Sequence, residues 1–259
     1  MADFLDVLAR DAKETINEGY YAVSTQISTP SISLKKAILK SKNIPIITEI
    51  KVASPSLGTI RKGVNPKKVA VAMENGGAVG ISVLTEPKHF EGSLVSLIKV
   101  RKAVKLPILM KDIIISLTQL ETASKIGANT VLLIEALFER KYCECDLHEM
   151  IAQAQSKNLE VLLETHNEDE FQSAINSDAD LIGINNRNLG TLKVDLEVTK
   201  KILEKNDAHK KIVVSESGIK TPADLRFLRG CGAHAFLIGS TIMMANNIEK
   251  KVKEFATAL

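Results

Sequence analysis

The chain has 259 residues, 45% of them hydrophobic and 25% charged, with 34 Lys and Arg against 31 Asp and Glu for a formal net charge of +3. This balance fits an ordinary globular α/β protein and excludes fibrous and extended disordered classes. Because the two signs are interleaved, no basic face for nucleic acid or anionic lipid stands out, so a small-molecule partner is expected, with no nucleic acid and no membrane.

In chain order, residues 1–45 form a lead-in without strand-like runs. Its segments "DFLDVLARDAKETI" and "SLKKAILK" read as one or two added helices packing over one end of the domain and bordering its site, their charges forming solvated faces. The N-terminus lacks an apolar h-region and no run is long enough to span a bilayer, so neither a signal peptide nor a membrane anchor is expected, and the location expected is cytoplasmic. Eight short apolar, β-branched runs follow, at 46–50, 79–84, 107–110, 130–134, 159–163, 181–184, 212–214 and 235–238. Most are apolar throughout rather than alternating, as parallel strands covered on both faces are. Between them lie stretches of helical period such as "PKKVAVAMENGG", "SLVSLIKVRKAV", "SLTQLETASKIGA", "NEDEFQSAINSDA", "DLEVTKKILEKN" and "TPADLRFLRGCGA".

Eight such units predict a single α/β domain over residues 1–259, a (β/α)8 TIM barrel with residues 1–45 as an N-terminal helical extension. A monomer is the expected state. Active groups of such barrels gather at the C-terminal ends of the strands. Those ends are polar nearly all round: Glu49 and Lys51, Lys111 and Asp112, Glu135, Glu164, Asn185 and Arg187, Glu216 and Ser217, then Gly239 and Ser240. Glu49 and Lys51 are two apart on a strand, hence on one face, where burial is tolerable only if each charge meets a partner or a ligand. The turns "SESGI" and "FLIGSTIM" after the last two strands combine close-approach glycines, hydroxyls and a helix-like start, which points to a phosphate seat.

Other features carry plainer readings. Cys143, Cys145 and Cys231 are expected to be reduced thiols, since "CEC" has only His148 nearby and a zinc site needs about four ligands. His89, His148, His166, His209 and His234 share no ligand spacing, so no metal is expected; His166 reads chiefly as a loop residue. Glu135 is a candidate partner for Lys111, and Asp112 reads as a loop cap.

The strings "ITEIKVASPS", "ILMKDIII", "TVLLIEAL", "VLLETHNEDE", "LIGINNRNL", "SESGI" and "AFLIGSTIM", in that order and spacing, resemble the indole-3-glycerol-phosphate synthase family of tryptophan biosynthesis across almost the whole chain. The resemblance implies a carboxy-lyase that closes 1-(2-carboxyphenylamino)-1-deoxyribulose 5-phosphate to indole-3-glycerol phosphate with loss of carbon dioxide and water, and no cofactor. It places a general acid on Lys111, a second acid/base group on Glu164 and supporting ionic roles on Glu49 and Lys51. Asn185 and Arg187 fall on substrate contacts, with Phe90 and Glu216 as further candidates. Ser54, Ser217, Gly218, Gly239 and Ser240 fall on the phosphate grip. The chain departs from the family in having Val52 and Ala53 where a basic residue is common, and Ile113 where an aromatic is common. For Lys111 to act as an acid near neutral pH, burial or the Lys51 cation is expected to lower its pKa. Two other readings are a Schiff-base aldolase-like barrel using Lys111 or Lys51, and a phosphosugar-binding barrel without catalysis.

Overall fold

The computed structural model describes residues 3–27, 32–208 and 211–258. Eight parallel strands close a barrel: β1 (Ile46–Ile50), β2 (Gly80–Leu84), β3 (Ile108–Lys111), β4 (Thr130–Ile134), β5 (Glu160–Thr165), β6 (Leu181–Asn185), β7 (Ile212–Glu216) and β8 (Ala235–Ile238), with β8 paired back onto β1 through Ile46↔Phe236 and Ile47↔Leu237. The continuous apolar runs are explained by two cores sharing one sheet. Ile47, Leu109, Leu132, Leu162, Leu181, Ile212 and Ala235 fill the barrel, while alternate neighbours such as Ile46, Ile81, Met110, Val131 and Leu163 meet the helical layer outside.

Local chemistry sets the helix boundaries. Asn65 caps Pro66–Asn75 by accepting from Lys67 N and Lys68 N, with Pro66 pre-set for the first turn. Ser116 and Gln119 form a reciprocal capping box on Leu117–Ile126, which stops at Gly127 with φ of 92°, a left-handed backbone that glycine adopts without a Cβ clash. The helices Glu135–Glu139, Leu147–Ser156 and Ile248–Ala256 were not marked by the sequence pattern, nor was a two-residue ladder between Ala53–Ser54 and Gly58–Thr59. Among the described residues no helix is long and apolar enough to cross a membrane.

The lead-in supplies two helices that go to opposite ends of the barrel. Helix α2 (Leu34–Lys40) closes the N-terminal end. Glu160, at the start of β5, accepts from Leu34 N at 2.6 Å and Lys35 N at 3.2 Å and from the Ser33 hydroxyl, and Leu34 sits over Gly80, where an added Cβ would lie 2.5 Å from it. Helix α1 (Phe4–Asn17) lies at the other end, and its charges are not simply solvated as expected. Arg140 bridges Asp3 and Asp6 at 2.8 Å each, His89 meets Asp11 at 2.8 Å, and Lys88 reaches Glu14 at 3.0 Å, so the acidic face of α1 is fastened to the basic loops of the rim.

Four strands also run further than their apolar patterns, through Lys111, Glu164, Asn185 and Glu216. These polar residues therefore belong to the rigid sheet rather than to the loops after it. Their positions are fixed by strand hydrogen bonds.

Candidate active site

At the C-terminal end of the barrel lies a cavity of about 1140 Å³, lined by every candidate catalytic, substrate and phosphate residue that the sequence marked, together with Phe4 and Leu8 of α1. Three strands converge on one ammonium. Lys111 Nζ donates to Glu164 Oε2 at 2.9 Å and to Glu216 Oε2 at 3.0 Å, with both carboxylates buried. On β1, Glu49 holds Lys51 at 2.7 Å, so that pair is internally matched. Asn185 Nδ2 donates to Glu164 Oε1 at 3.0 Å, and its own Oδ1 accepts from Arg187 N.

Two glycines make room for this cluster. A Cβ on Gly183 would stand 2.4 Å from Glu216 Oε1, and one on Gly239 would stand 2.3 Å from Glu49 Oε1. Inside a barrel whose interior positions are otherwise filled, the missing side chains admit the carboxylates.

The electrostatics differ from the sequence expectation for Lys111. Burial alone would drive its pKa down, but the carboxylates of Glu164, Glu216 and Glu49 outweigh burial and hold it above the usual lysine value. Lys51 is not the neighbouring cation that depresses it, because Lys51 is neutralised by Glu49. Glu164 and Glu216 respond in opposite directions. Burial works against the charge of Glu164 but is overcome by Lys111, His166 and Asn185, which keep it below the usual carboxylate range. Burial pushes Glu216 up to about 7, with the charge of Glu164 adding to it and Lys111 opposing. Neighbouring carboxyls with divergent pKa values are the arrangement in which one can be a base while the other carries a proton.

The turns after β7 and β8 border the same cavity. Ser217 and Gly218 both have positive φ, 66° and 87°, and Thr241 Oγ1 donates to Ile219 O at 2.7 Å, tying the two turns together. Among the described residues, the buried hydroxyl of Ser54, in the small ladder, has no partner. Behind them stands Asn186, which the sequence reading passed over. Its Nδ2 donates to Ser215 Oγ, Glu216 O and Ser217 O, and its Oδ1 accepts from Thr199 N and Oγ1. Asn186→Ala orphans several of these buried groups, and is expected to cost about 2–4 kcal/mol in a denaturation midpoint and to raise KM for a phosphorylated substrate more than it lowers kcat.

The apolar wall comes from Leu84, Phe90, Ile113, Leu132 and Ile134, with Phe4 and Leu8 closing it from α1. Glu86, also unmarked by the sequence, accepts from the backbone N–H of Lys88, His89 and Phe90 at 2.7–3.0 Å and so shapes the loop that presents Phe90. Phe4 stacks edge-on against His89 at 5.6 Å.

A sequence model of the indole-3-glycerol phosphate synthase family matches residues 5–255. The chain belongs to this family. It is 47% identical to the indole-3-glycerol phosphate synthase of Methanocaldococcus jannaschii over 232 residues, covering 86% of this chain and 83% of that one. With the enzyme of that name from Aliarcobacter butzleri the identity is 36% over 256 residues, covering 98% and 95%. Among solved structures, a thiamine phosphate pyrophosphorylase from Pyrococcus furiosus superposes with a TM-score of 0.59 at 19% identity, covering 84% of this chain and 95% of that one. An N-acetylmannosamine-6-phosphate 2-epimerase from Clostridium perfringens does so at 0.61 and 14%, covering 87% and 97%. These two likenesses concern the barrel alone.

Within this indole-3-glycerol phosphate synthase family member, one expected placement needs correction. Glu135 does not meet Lys111: it opens the helix Glu135–Glu139 on the outer layer, where Ser173 Oγ donates to it at 2.7 Å. Leu132 and Ile134 face the barrel interior, so the residue after Ile134 falls on the outward side of the alternation. His166 lies in the loop after β5, as expected, with its ring between Glu164 and Glu170 at 3.1 Å from each. Asp112 caps the loop as expected, accepting from Ile113 N at 2.8 Å, and is further held by Tyr21 and Thr85 hydroxyls. Among the described residues no group of three or more His, Cys, Asp or Glu is placed to hold a metal ion, and the three cysteines are free thiols. His209 lies outside the described residues.

Proposed function

We propose that the protein converts 1-(2-carboxyphenylamino)-1-deoxyribulose 5-phosphate to indole-3-glycerol phosphate, carbon dioxide and water. The observation that carries this reading, within the family membership, is Lys111 shared by Glu164 and Glu216 on the floor of a cavity with an apolar wall and a paired turn of serines and glycines. The apolar wall, with Phe90, suits the anthranilate ring. Ser54, Ser217, Gly218, Gly239 and Ser240 suit the phosphate, and Arg187 lines the same cavity as a positive charge.

The ring carbon bearing the carboxylate attacks the sugar ketone, and negative charge grows on the ketone oxygen. Lys111 meets it there as an ammonium. Because the carboxylate cage favours the charged lysine, its first contribution is electrostatic, with proton transfer following once the alkoxide has become the stronger base. The attack leaves a cationic, dearomatised ring that draws in the electrons released as carbon dioxide departs, so the substrate supplies its own electron sink. Having protonated the alkoxide, Lys111 is recharged by the proton of the Glu216 carboxyl that touches it, and the hydroxyl on the former ketone carbon leaves as water with that proton. Glu164 as a carboxylate takes the proton whose removal completes the indole. Glu49 keeps Lys51 in place, and Asn185 keeps Glu164 in place.

The same cage speaks against the Schiff-base reading, since an ammonium has no lone pair with which to attack a carbonyl. The reading further takes the chain as one domain acting as a cytoplasmic monomer without cofactor. Its test is incubation of the purified protein with the carboxyphenylamino-deoxyribulose phosphate in the presence of a chelator. Indole fluorescence and one carbon dioxide per product are expected; unchanged substrate sinks the reading, and a borohydride-trapped lysine adduct replaces it with the aldolase-like one.

A further inference from the structure

Glu164 is gripped on both oxygens. Lys111 holds Oε2, while Oε1 accepts from Asn185 and lies 3.1 Å from His166 Nε2, an ion-pair contact whose angle falls short of a hydrogen bond. Strand alternation explains the encounter. Thr165 turns outward and donates to Gly183 O, and His166, two residues beyond Glu164, returns to its side of the sheet. The imidazole is about 10% exposed, and its Nδ1 is 3.1 Å from Glu170 Oε2. Glu170 is itself pinned: it accepts from His166 N at 2.7 Å and from Asn167 Nδ2 at 2.6 Å, at the first turn of the helix Glu168–Asn176.

A neutral imidazole has one N–H, so with a carboxylate beside each nitrogen one lone pair would face a negative charge; only the imidazolium presents an N–H at both nitrogens. Burial opposes that charge, but the two carboxylates outweigh it and raise His166 to about 9. The charged groups around it are Glu164 of β5 and Glu170 of the following helix, with Lys111, Glu216 and Glu49 beyond the first and Glu135 beyond the second. Around the cavity floor the carboxyl groups of Glu49, Glu164 and Glu216 face the ammonium groups of Lys51 and Lys111 and the guanidinium of Arg187, and His166 adds a cation behind Glu164.

We propose that His166 is a positioning residue for the reaction described above: braced by Glu170, its imidazolium keeps Glu164 ionised and turned so that Oε2 rests on Lys111 and the carboxylate is ready to take up the proton released from the substrate. This rests on the function proposed above. The off-line contact leaves room for Glu164 to tighten onto His166 as substrate displaces Asn185 or Lys111.

The test compares the parent with His166→Phe, which removes both nitrogens, and His166→Gln, which keeps a neutral donor. Loss of the cation raises the pKa of Glu164, so the base is lost at higher pH and the acid limb of kcat moves upward. We expect kcat to fall on the order of 10²-fold in His166→Phe with KM nearly unchanged, the acid limb shifting up by about one pH unit, and both effects smaller in His166→Gln. NMR of labelled imidazole, assigned through His166→Gln, should show the His166 ring still protonated at neutral pH and titrating lower in Glu164→Gln. A folded His166→Phe with parental kcat and pH limb overturns the inference, as does a His166 titration indifferent to Glu164→Gln; should His166→Phe not fold, His166→Gln and the titration decide. A parent chain without turnover removes the function reading itself, a result separate from turnover that survives loss of His166.

Discussion

Lys111→Met is expected to lower kcat by on the order of 10³-fold or more, equivalent to about 4 kcal/mol of transition-state stabilisation, because one ammonium supplies both the charge that meets the ketone oxygen and the proton that follows. The variant removes the shared cation of two buried carboxylates, so a stability cost accompanies the kinetic one. In the parent, burial opposes Glu164's charge yet Lys111 and its other partners hold it low, so its contribution to stability is present above the usual carboxylate range and is lost as pH falls. Without Lys111, Glu216 loses the charge that opposes its burial and rises further, and Glu164, left with His166 and Asn185, rises from its lowered value. The folded state then binds an extra proton at Glu216, and stability falls as pH rises through its raised value. The deficit of Lys111→Met should therefore be larger at pH 8, about 3–5 kcal/mol, than at pH 5. Lys111→Arg separates the two effects: a guanidinium restores charge to the cage but not the compact donor geometry, so stability should recover while turnover does not. Kinetics at pH 6, with binding of an analogue whose ketone is reduced to an alcohol, would check this; parental turnover in a folded Lys111→Met would remove Lys111 from the mechanism.

Much of this site was legible in sequence because a parallel barrel imposes two simple regularities. Apolar runs mark strands covered on both faces, and polar residues at their ends must gather on one rim. Thus Lys111, Glu164, Asn185 and Glu216 could be placed together from four separate strings, although the strands proved to extend through them. Pair geometry was not legible in the same way. Which carboxylates Lys111 meets is set by contacts of 2.9 and 3.0 Å to Glu164 and Glu216; Glu135 alone was excluded by alternation, because Leu132 and Ile134 face the barrel and the next residue faces the helices. The lowered lysine pKa failed for a related reason: strand positions show which charges share a rim, whereas the sign of a shift depends on distances of about 3 Å between them. Asn186 went unnoticed because its partners, Ser215, Glu216, Ser217 and Thr199, are distant in the chain, and Glu86 because it serves the backbone N–H groups of its own loop, where no apolar period marks it.

The glycine in "LIGIN" shows how far an absent side chain can matter. Gly183→Ala is expected to lower kcat by about 10²-fold while costing only about 1–2 kcal/mol of stability. The new methyl would lie 2.4 Å from Glu216 Oε1 and 3.4 Å from Glu164 Cα, so the nearer atom must move and the backbone need shift little. A carboxylate at the end of a flexible side chain can rotate away, which keeps the folding cost modest. Rotation also breaks the 3.0 Å contact to Lys111 and leaves Glu164 as the ammonium's chief partner, so the proton relay loses the carboxyl that holds a proton near neutral pH. If displacement of Glu216 is the whole effect, shortening that side chain should cancel it: in a Glu216→Asp background, Gly183→Ala should change kcat less than about threefold, the non-additivity expected of groups in contact. Fully additive losses would mean that the methyl acts through the backbone of β6, and that Gly183 is conformational rather than a space made for Glu216.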